Sequence, residues 1–361
     1  MNTHGHCHPY IAEKMAEAMH QLDQVLFADF THAYSTQLAN RLLECSGSHF
    51  DKVFFSDSGS TAVETALKIA LRKGGKKKKI LSLKGGYYGD TFGAMSLAGT
   101  NYFNRPYAPY FFDTIQISEG VGQLKSEIEE AICFVYEPLL QGAVSGMRLY
   151  SADGLNEMLS LCRQHGVITI ADEVMTGFGR CGPLFASELM ETKPDMLCLA
   201  KALSGGTLPI GATLVRKELY GAFLSDDLSE ALLHGSSYAG NPITAASALA
   251  NLELLEQDAC SRAREAIGQA HKEFCVKWRG HPHFKRLESI GTILIAEYAT
   301  DHPEFYSDPI RERLNEHFFS EGIAIRPFGR VLYIAPPYCI NHEDLIWIYK
   351  TIESSLNFSI R

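Results

Sequence analysis

The sequence predicts an α/β protein, with a large doubly wound, mostly parallel sheet domain and a smaller α+β domain after it. Two observations carry that expectation. From about residue 52 to about residue 258, short apolar runs alternate with helix-length amphipathic segments, the order of strands joined by crossover helices. The runs are apolar on both faces and end in polar residues, as strands of a covered parallel sheet do. In open sheets of this kind ligands bind beyond the carboxyl ends of the strands, so the polar tails mark the expected site.

Taken in order, residues 53–55 read as a strand, followed by a Ser/Gly turn and a helix from about Thr61. KKILSL, ICFVYEP, GVITIADE and DMLCLAKAL read as further strands. Residues 245–279 read as helical, with Leu252, Leu254 and Leu255 among polar residues, and form a connector. RLESIGTILIAEY and IAIRPFGRVLYIAPPY alternate in short segments before a last helix near 342–356. The expected division is therefore an N-terminal segment at 1–48, a large domain at 49–265 and a small domain at 266–361. The basic run from Arg72 through Lys79 reads as a solvated turn between helix and strand.

Composition narrows the function classes. A chain of 361 residues with 46% hydrophobic and 11% aromatic content can bury a sizeable core. That excludes a disordered chain, a collagen-like repeat and a disulfide mini-scaffold. With 33 Lys+Arg against 42 Asp+Glu the net charge is −9, which disfavours a dedicated nucleic-acid binder. No run approaches the length of a membrane helix, and MNTHGHCHP lacks the regions of a signal peptide. The nine cysteines are scattered with no CxxC pair, as expected of reduced thiols in a cytosolic protein. No membrane partner and no nucleic-acid partner are expected.

The chemistry centres on Asp172, ending the strand VITIAD, and Lys201, following the strand MLCLA. A lysine after a buried strand can have its ammonium desolvated, which makes a nucleophilic amine able to form a Schiff base. An aspartate on a neighbouring strand end then suits the pyridinium nitrogen of pyridoxal phosphate. The plainer reading of the pair is a structural ion pair. Ser58-Gly59-Ser60-Thr61, between strand and helix, offers free N–H groups and hydroxyls to a phosphate monoester, or serves as an ordinary helix cap.

In Gly85-Gly86-Tyr87-Tyr88-Gly89-Asp90 an aromatic ring could stack on a planar cofactor or pack at a loop edge. His234-Gly235-Ser236-Ser237 opens a hydroxyl-rich loop that reads as phosphate donors or as a turn. Arg326 suits bidentate binding of a carboxylate, with a surface arginine as the alternative. His4, His6 and His8 with Cys7 raise a metal site, but no second ligand cluster has metal-site spacing, which favours a structural turn. No GxxxxGK[ST], no GxGxxG after a strand and no GxSxG elbow is present.

Together these segments resemble the class III, or omega-amino acid, aminotransferases that depend on pyridoxal 5′-phosphate. DSGSTAVETALKIA, GGYYGDTFGAMS, YEPLLQGA, IADEVMTGFGRCG, LCLAKALSGG, HGSSYAGNP and RPFGRVLYIAPPY fall in that family's order. The resemblance implies a fold-type I aminotransferase acting as an obligate homodimer. It makes Lys201 the Schiff-base lysine and Asp172 the partner of the pyridine nitrogen. It gives Gly59 and Ser60 to the phosphate, with Ser236 and Ser237 reaching the phosphate from the neighbouring subunit. Tyr87 would stack on the ring and touch substrate, and Glu137 would lie in the cofactor's surroundings. Gly235, Arg326 and Tyr333 would line the substrate pocket, with Arg326 on a carboxylate. No metal is implied.

Within the class, GDTFGAMS, GMRLY, the HG-x-S/T-Y/F-x-GNP loop and IRPFGR-x-LY-x-x-PPY look like the biotin-synthesis branch. That branch converts 8-amino-7-oxononanoate to 7,8-diaminononanoate, with S-adenosylmethionine or, in some relatives, lysine as amino donor. The ornithine and 4-aminobutyrate branches usually carry an acidic residue where Ala143 and Val144 follow Gly142. The alternatives are a class III aminotransferase for another omega-amine or keto acid, and a cofactor-binding protein with an incomplete pocket. Five departures are expected to matter. The segment that bears an aromatic pair over the substrate in relatives is absent before His4; Tyr88 replaces a usual histidine, Cys181 a usual threonine, Ser204 stands where threonine is common, and QGAVSGM is one residue longer.

Overall fold

The computed structural model describes residues 1–142 and 146–358. Ala143 and Val144 lie outside the described residues. Helices α1 (Pro9–Gln21) and α2 (Ala33–Cys45) precede the first strand, β1 (Lys52–Ser56). The chain continues through α3 (Gly59–Lys73), β2 (Lys79–Leu83), α4 (Phe92–Leu97), β3 (Thr114–Ile117), α5 (Val121–Glu127) and β4 (Ala131–Tyr136). Then follow α6 (Ala152–Gln164), β5 (Ile168–Asp172), β6 (Met196–Leu199), β7 (Gly211–Val215) and the short α7 (Lys217–Tyr220).

These strands form one seven-stranded sheet in the order β1-β7-β6-β5-β4-β2-β3. All neighbours pair parallel except β7, which runs antiparallel to both β6 and β1. The strand period decides where the core sits. Phe134, Tyr136, Leu197 and Leu199 pack into a cluster on one face, and Cys133, Val135, Met196 and Cys198 into a cluster on the other. Both faces are covered, which is why the strands read as continuous apolar runs.

Two expectations are corrected by local chemistry. The first crossover helix begins at Gly59, two residues before Thr61, because Ser58 caps it: its Oγ accepts from the Thr61 N–H at 3.2 Å and its N–H donates to Thr61 Oγ1 at 2.9 Å. The helical stretch at 245–279 is two helices, α8 (Pro242–Leu255) and α9 (Asp258–Lys277), parted at Glu256 and Gln257. Strands β3 and β7 are additional to the expected ones, and β7 runs antiparallel because residues 200–210, which join it to β6, are too few to hold a crossover helix.

The C-terminal part forms a second sheet. Strands β8 (Phe284–Ile290), β9 (Ile293–Tyr298) and, after α10 (Ile310–Ser320), β10 (Val331–Ile334) pair antiparallel in the order β10-β9-β8. Leu294, Ala296 and Leu332 pack there with Phe274 of α9 and Ile352 of α11 (His342–Ser355). The expected division after residue 265 falls within α9, whose Ile267 packs in the large core and whose Phe274 packs in the small one.

Candidate active site

Residues just past the ends of β1, β2, β4, β5 and β6 line one cavity of about 500 Å³, a size ordinary for ligand sites. Gly59, Ser60, Tyr87, Glu137, Asp172 and Lys201 meet there, with Tyr333 of β10 from the small sheet. Gly235, Ser236, Ser237 and Arg326 are exposed and stand outside the cavity lining of the single chain. Ser236 is nevertheless close to it, since its hydroxyl donates to Asp57 Oδ2 and Asp57 lines the cavity.

The phosphate turn is shaped by its neighbours. With the Thr61 N–H taken by Ser58, the N–H groups of Gly59 and Ser60 in the first turn of α3 have no intrahelical acceptor. The helix dipole adds to their attraction for an anion. A Cβ at Gly59 would come within 2.8 Å of Val174 Cγ1, so glycine lets this turn lie against the strand end that carries Asp172. At Gly89 the backbone sits at φ +126° and a Cβ would collide with Ser60 Oγ.

Asp172 is 4% exposed, and its Oδ1 accepts the Val174 N–H at 2.9 Å. Burial pushes its carboxyl up to about 7, against the Val174 hydrogen bond and the Lys201 charge, which both pull it down. A cationic ring nitrogen beside it would offset that cost. Lys201 follows β6 in the left-handed region at φ 43°, a conformation that costs a non-glycine residue about 1–3 kcal/mol and collects at functional sites. The expected desolvation of its ammonium is not what the structure shows: the side chain is exposed to the open cavity.

Glu137 clamps two loops. Its Oε2 accepts the Tyr87 N–H and its Oε1 the Gly142 N–H, each at 3.0 Å. Burial first, then the Asp172 charge, push its carboxyl up to about 8. Tyr87 donates its hydroxyl to Asp90 Oδ2 at 2.9 Å. Tyr88, at the departure from histidine, is buried beneath, its hydroxyl shared between the carbonyls of Leu83 and Val135 at 3.2 Å each.

A pH dependence follows for the cofactor-free protein. Glu137 ionises near 4.5 when unfolded but near 8 when folded, so the folded state holds the extra proton between those values. Stability therefore falls as pH rises through that window, and regains its full value below about 4.5. Asp172 and Glu173, both raised to about 7, act in the same direction and are still titrating at pH 7. Between pH 7 and 8 Glu137 supplies the largest share of the downward slope, and the Met1 ammonium, lowered from 8 to about 6 chiefly by burial, opposes it. Thermal melts across that range should fall less steeply with pH in Glu137→Gln than in the parent protein; an unchanged slope in the variant contradicts the assignment.

Asp57, Val174 and Thr207 also line the cavity and escaped the sequence reading. Asp57 had a signal, being the polar tail of β1. Val174 had none, since an apolar residue after a buried strand looks like core. His4 packs its ring edge-on against Tyr338 at 6.2 Å and His8 at 5.9 Å, and among the described residues no group of three or more His, Cys, Asp or Glu is arranged to hold a metal.

The donor set fits pyridoxal 5′-phosphate on these observations. A buried carboxylate faces the cavity without a full countercharge, a helix N-terminus offers free N–H groups, and at Gly59 and Gly89 side chains would obstruct the turn. An amine on a strand end completes the set. Fold and site define a class, and the chain belongs to it: the class-III aminotransferase family model matches residues 1–356. Enzymes of that class use pyridoxal 5′-phosphate. The adenosylmethionine-8-amino-7-oxononanoate aminotransferase of Synechococcus elongatus is 36% identical, over 99% of this chain and 88% of that protein. The Helicobacter pylori protein of the same name is 32% identical, over 96% and 83%. The crystal structure of the Methanocaldococcus jannaschii protein of that name has a TM-score of 0.91 at 30% identity, covering 98% of this chain and 85% of that one.

Proposed function

We propose that this protein transfers an amino group to 8-amino-7-oxononanoate, making 7,8-diaminononanoate in biotin biosynthesis, with S-adenosylmethionine as donor. One observation carries the reading: Lys201, Asp172 and the Gly59–Ser60 turn share a cavity in a chain that aligns almost end to end with relatives of that name. Lysine is the alternative donor.

Bound pyridoxal 5′-phosphate supplies an electrophilic carbonyl and an electron-accepting ring. Gly59 and Ser60 would hold its phosphate, Tyr87 would stack on the ring, and Asp172 would hold the proton at the ring nitrogen. Lys201 Nζ, exposed in the cavity, would anchor the cofactor and would move the proton at the substrate's amine-bearing carbon. Arg326 takes the acceptor's carboxylate, with Tyr333 and Gly235 beside the chain.

A second copy completes the site. An apolar groove of about 780 Å³, lined by Met15 and Met19 of α1 with Tyr238 and Ile243, shares Asp57, Thr207, Leu208 and Pro209 with the active cavity. Met19 and Tyr238 are more than 60% exposed there, an apolar surface that a homodimer would cover. In that dimer Ser236 and Ser237 of each copy serve the other's phosphate. A cytoplasmic setting is supported by the nine free cysteines. Among the described residues no helix is long and apolar enough to cross a membrane.

The carboxylate role of Arg326 separates the two half-reactions. Losing a charge-assisted contact of about 1.5–3 kcal/mol slows the acceptor half-reaction about 10–100-fold. The donor half-reaction of Arg326→Ala should change by less than about 3-fold on the same scale. Stopped-flow traces of the two halves check this, and equal losses would undo the assignment.

A further inference from the structure

Tyr87 and Ser60 belong to different segments, yet one residue touches both. Asp90 Oδ2 accepts the Tyr87 hydroxyl at 2.9 Å, and the Asp90 N–H donates to Ser60 Oγ at 3.3 Å. Between them Gly89 sits at φ +126°, where a Cβ would collide with Ser60 Oγ, so the loop lies directly against the first turn of α3. One turn further along α3, Glu64 Oε1 accepts from the Thr91 hydroxyl at 2.6 Å and the Ala94 N–H at 3.2 Å. The segment 89–94 is thus laced to the helix that bears the phosphate turn.

Tyr87 is held at both ends. Its N–H is fixed by Glu137 and its hydroxyl by Asp90, which leaves the two side-chain torsions little freedom. We propose that Asp90 is a positioning residue, fixing the Tyr87 ring in register with the phosphate turn so that ring and phosphate of one cofactor are met together. The inference rests on the reading of Tyr87 and Ser60 as cofactor contacts. Burial and the Asp90 carboxylate both raise the Tyr87 phenol, so it stays the proton donor of this bond.

A double-mutant cycle on the cofactor-loaded protein tests it, with cofactor dissociation read from the absorbance of the lysine-bound form. Tyr87→Phe and Asp90→Ala should each weaken retention about 5–10-fold, the loss of one hydrogen bond. Because Asp90 acts through the Tyr87 hydroxyl, the double variant should be no worse than Tyr87→Phe alone, within about 2-fold. Asp90→Asn, which keeps an acceptor oxygen, should restore most of the affinity lost in Asp90→Ala. Additive losses, or an Asn variant as weak as Ala, would overturn the proposal, as would a Tyr87→Phe variant that retains cofactor like the parent. Tyr87→Ala tests the underlying reading separately: if it too retains cofactor fully, Tyr87 does not stack on the ring.

Discussion

Lys201→Ala lowers transamination with every donor by at least about 10⁴-fold, because it removes the group that both anchors the cofactor and moves the proton. The backbone at φ 43° is already strained for lysine, so alanine inherits that strain without adding to it. The side chain is exposed to the cavity and makes no contribution to the core, so the variant should melt close to the parent. It should also still take up cofactor through the Gly59–Ser60 turn, but without the absorbance of the lysine-bound form. A melt, a spectrum and a steady-state assay on one preparation check all three. Transamination within about 100-fold of the parent would contradict the role.

Asp172→Asn is the second large effect. The amide is nearly isosteric and can keep the Val174 N–H bond at 2.9 Å, so what is lost is the charge at the ring nitrogen. Preorganised charge of this kind is worth about 10²–10³ in kcat, and a loss of that size is expected with KM little changed. The same substitution removes a buried carboxylate whose ionisation burial opposes up to about 7. The cofactor-free variant should therefore be no less stable than the parent above pH 7, although it is nearly inactive. Activity and stability moving in opposite directions distinguishes a functional aspartate from a structural ion pair. A variant within about threefold of the parent in kcat would remove Asp172 from the mechanism.

How much of this was legible in the sequence depends on what each residue does. Asp172 and Lys201 stand out because each interrupts an apolar strand at its carboxyl end, where a sheet of this kind gathers its ligands. The Gly59 turn is legible for a similar reason, though α3 starts two residues earlier than expected because Ser58 caps it. The reversal of β7 was not legible, since a buried strand flanked on both sides reads the same in either direction. Asp90 looked like one more polar loop residue until Tyr87 and Ser60 were placed around it. The loop of Gly235, Ser236 and Ser237 and the carboxylate-binding Arg326 were legible by residue type and took their roles from the resemblance, and a single chain leaves them exposed beside the cavity rather than in it.

The most direct measurement follows the two half-reactions in a spectrophotometer. The protein is loaded with pyridoxal 5′-phosphate and challenged separately with S-adenosylmethionine, lysine, ornithine and 4-aminobutyrate, and 8-amino-7-oxononanoate is then added. The expected result is that S-adenosylmethionine bleaches the lysine-bound band and that 8-amino-7-oxononanoate restores it, while ornithine and 4-aminobutyrate do neither; bleaching by lysine alone would change the donor and leave the acceptor intact. A band that 8-amino-7-oxononanoate cannot restore after any donor has bleached it, or that no donor bleaches at all, would contradict the proposed reaction.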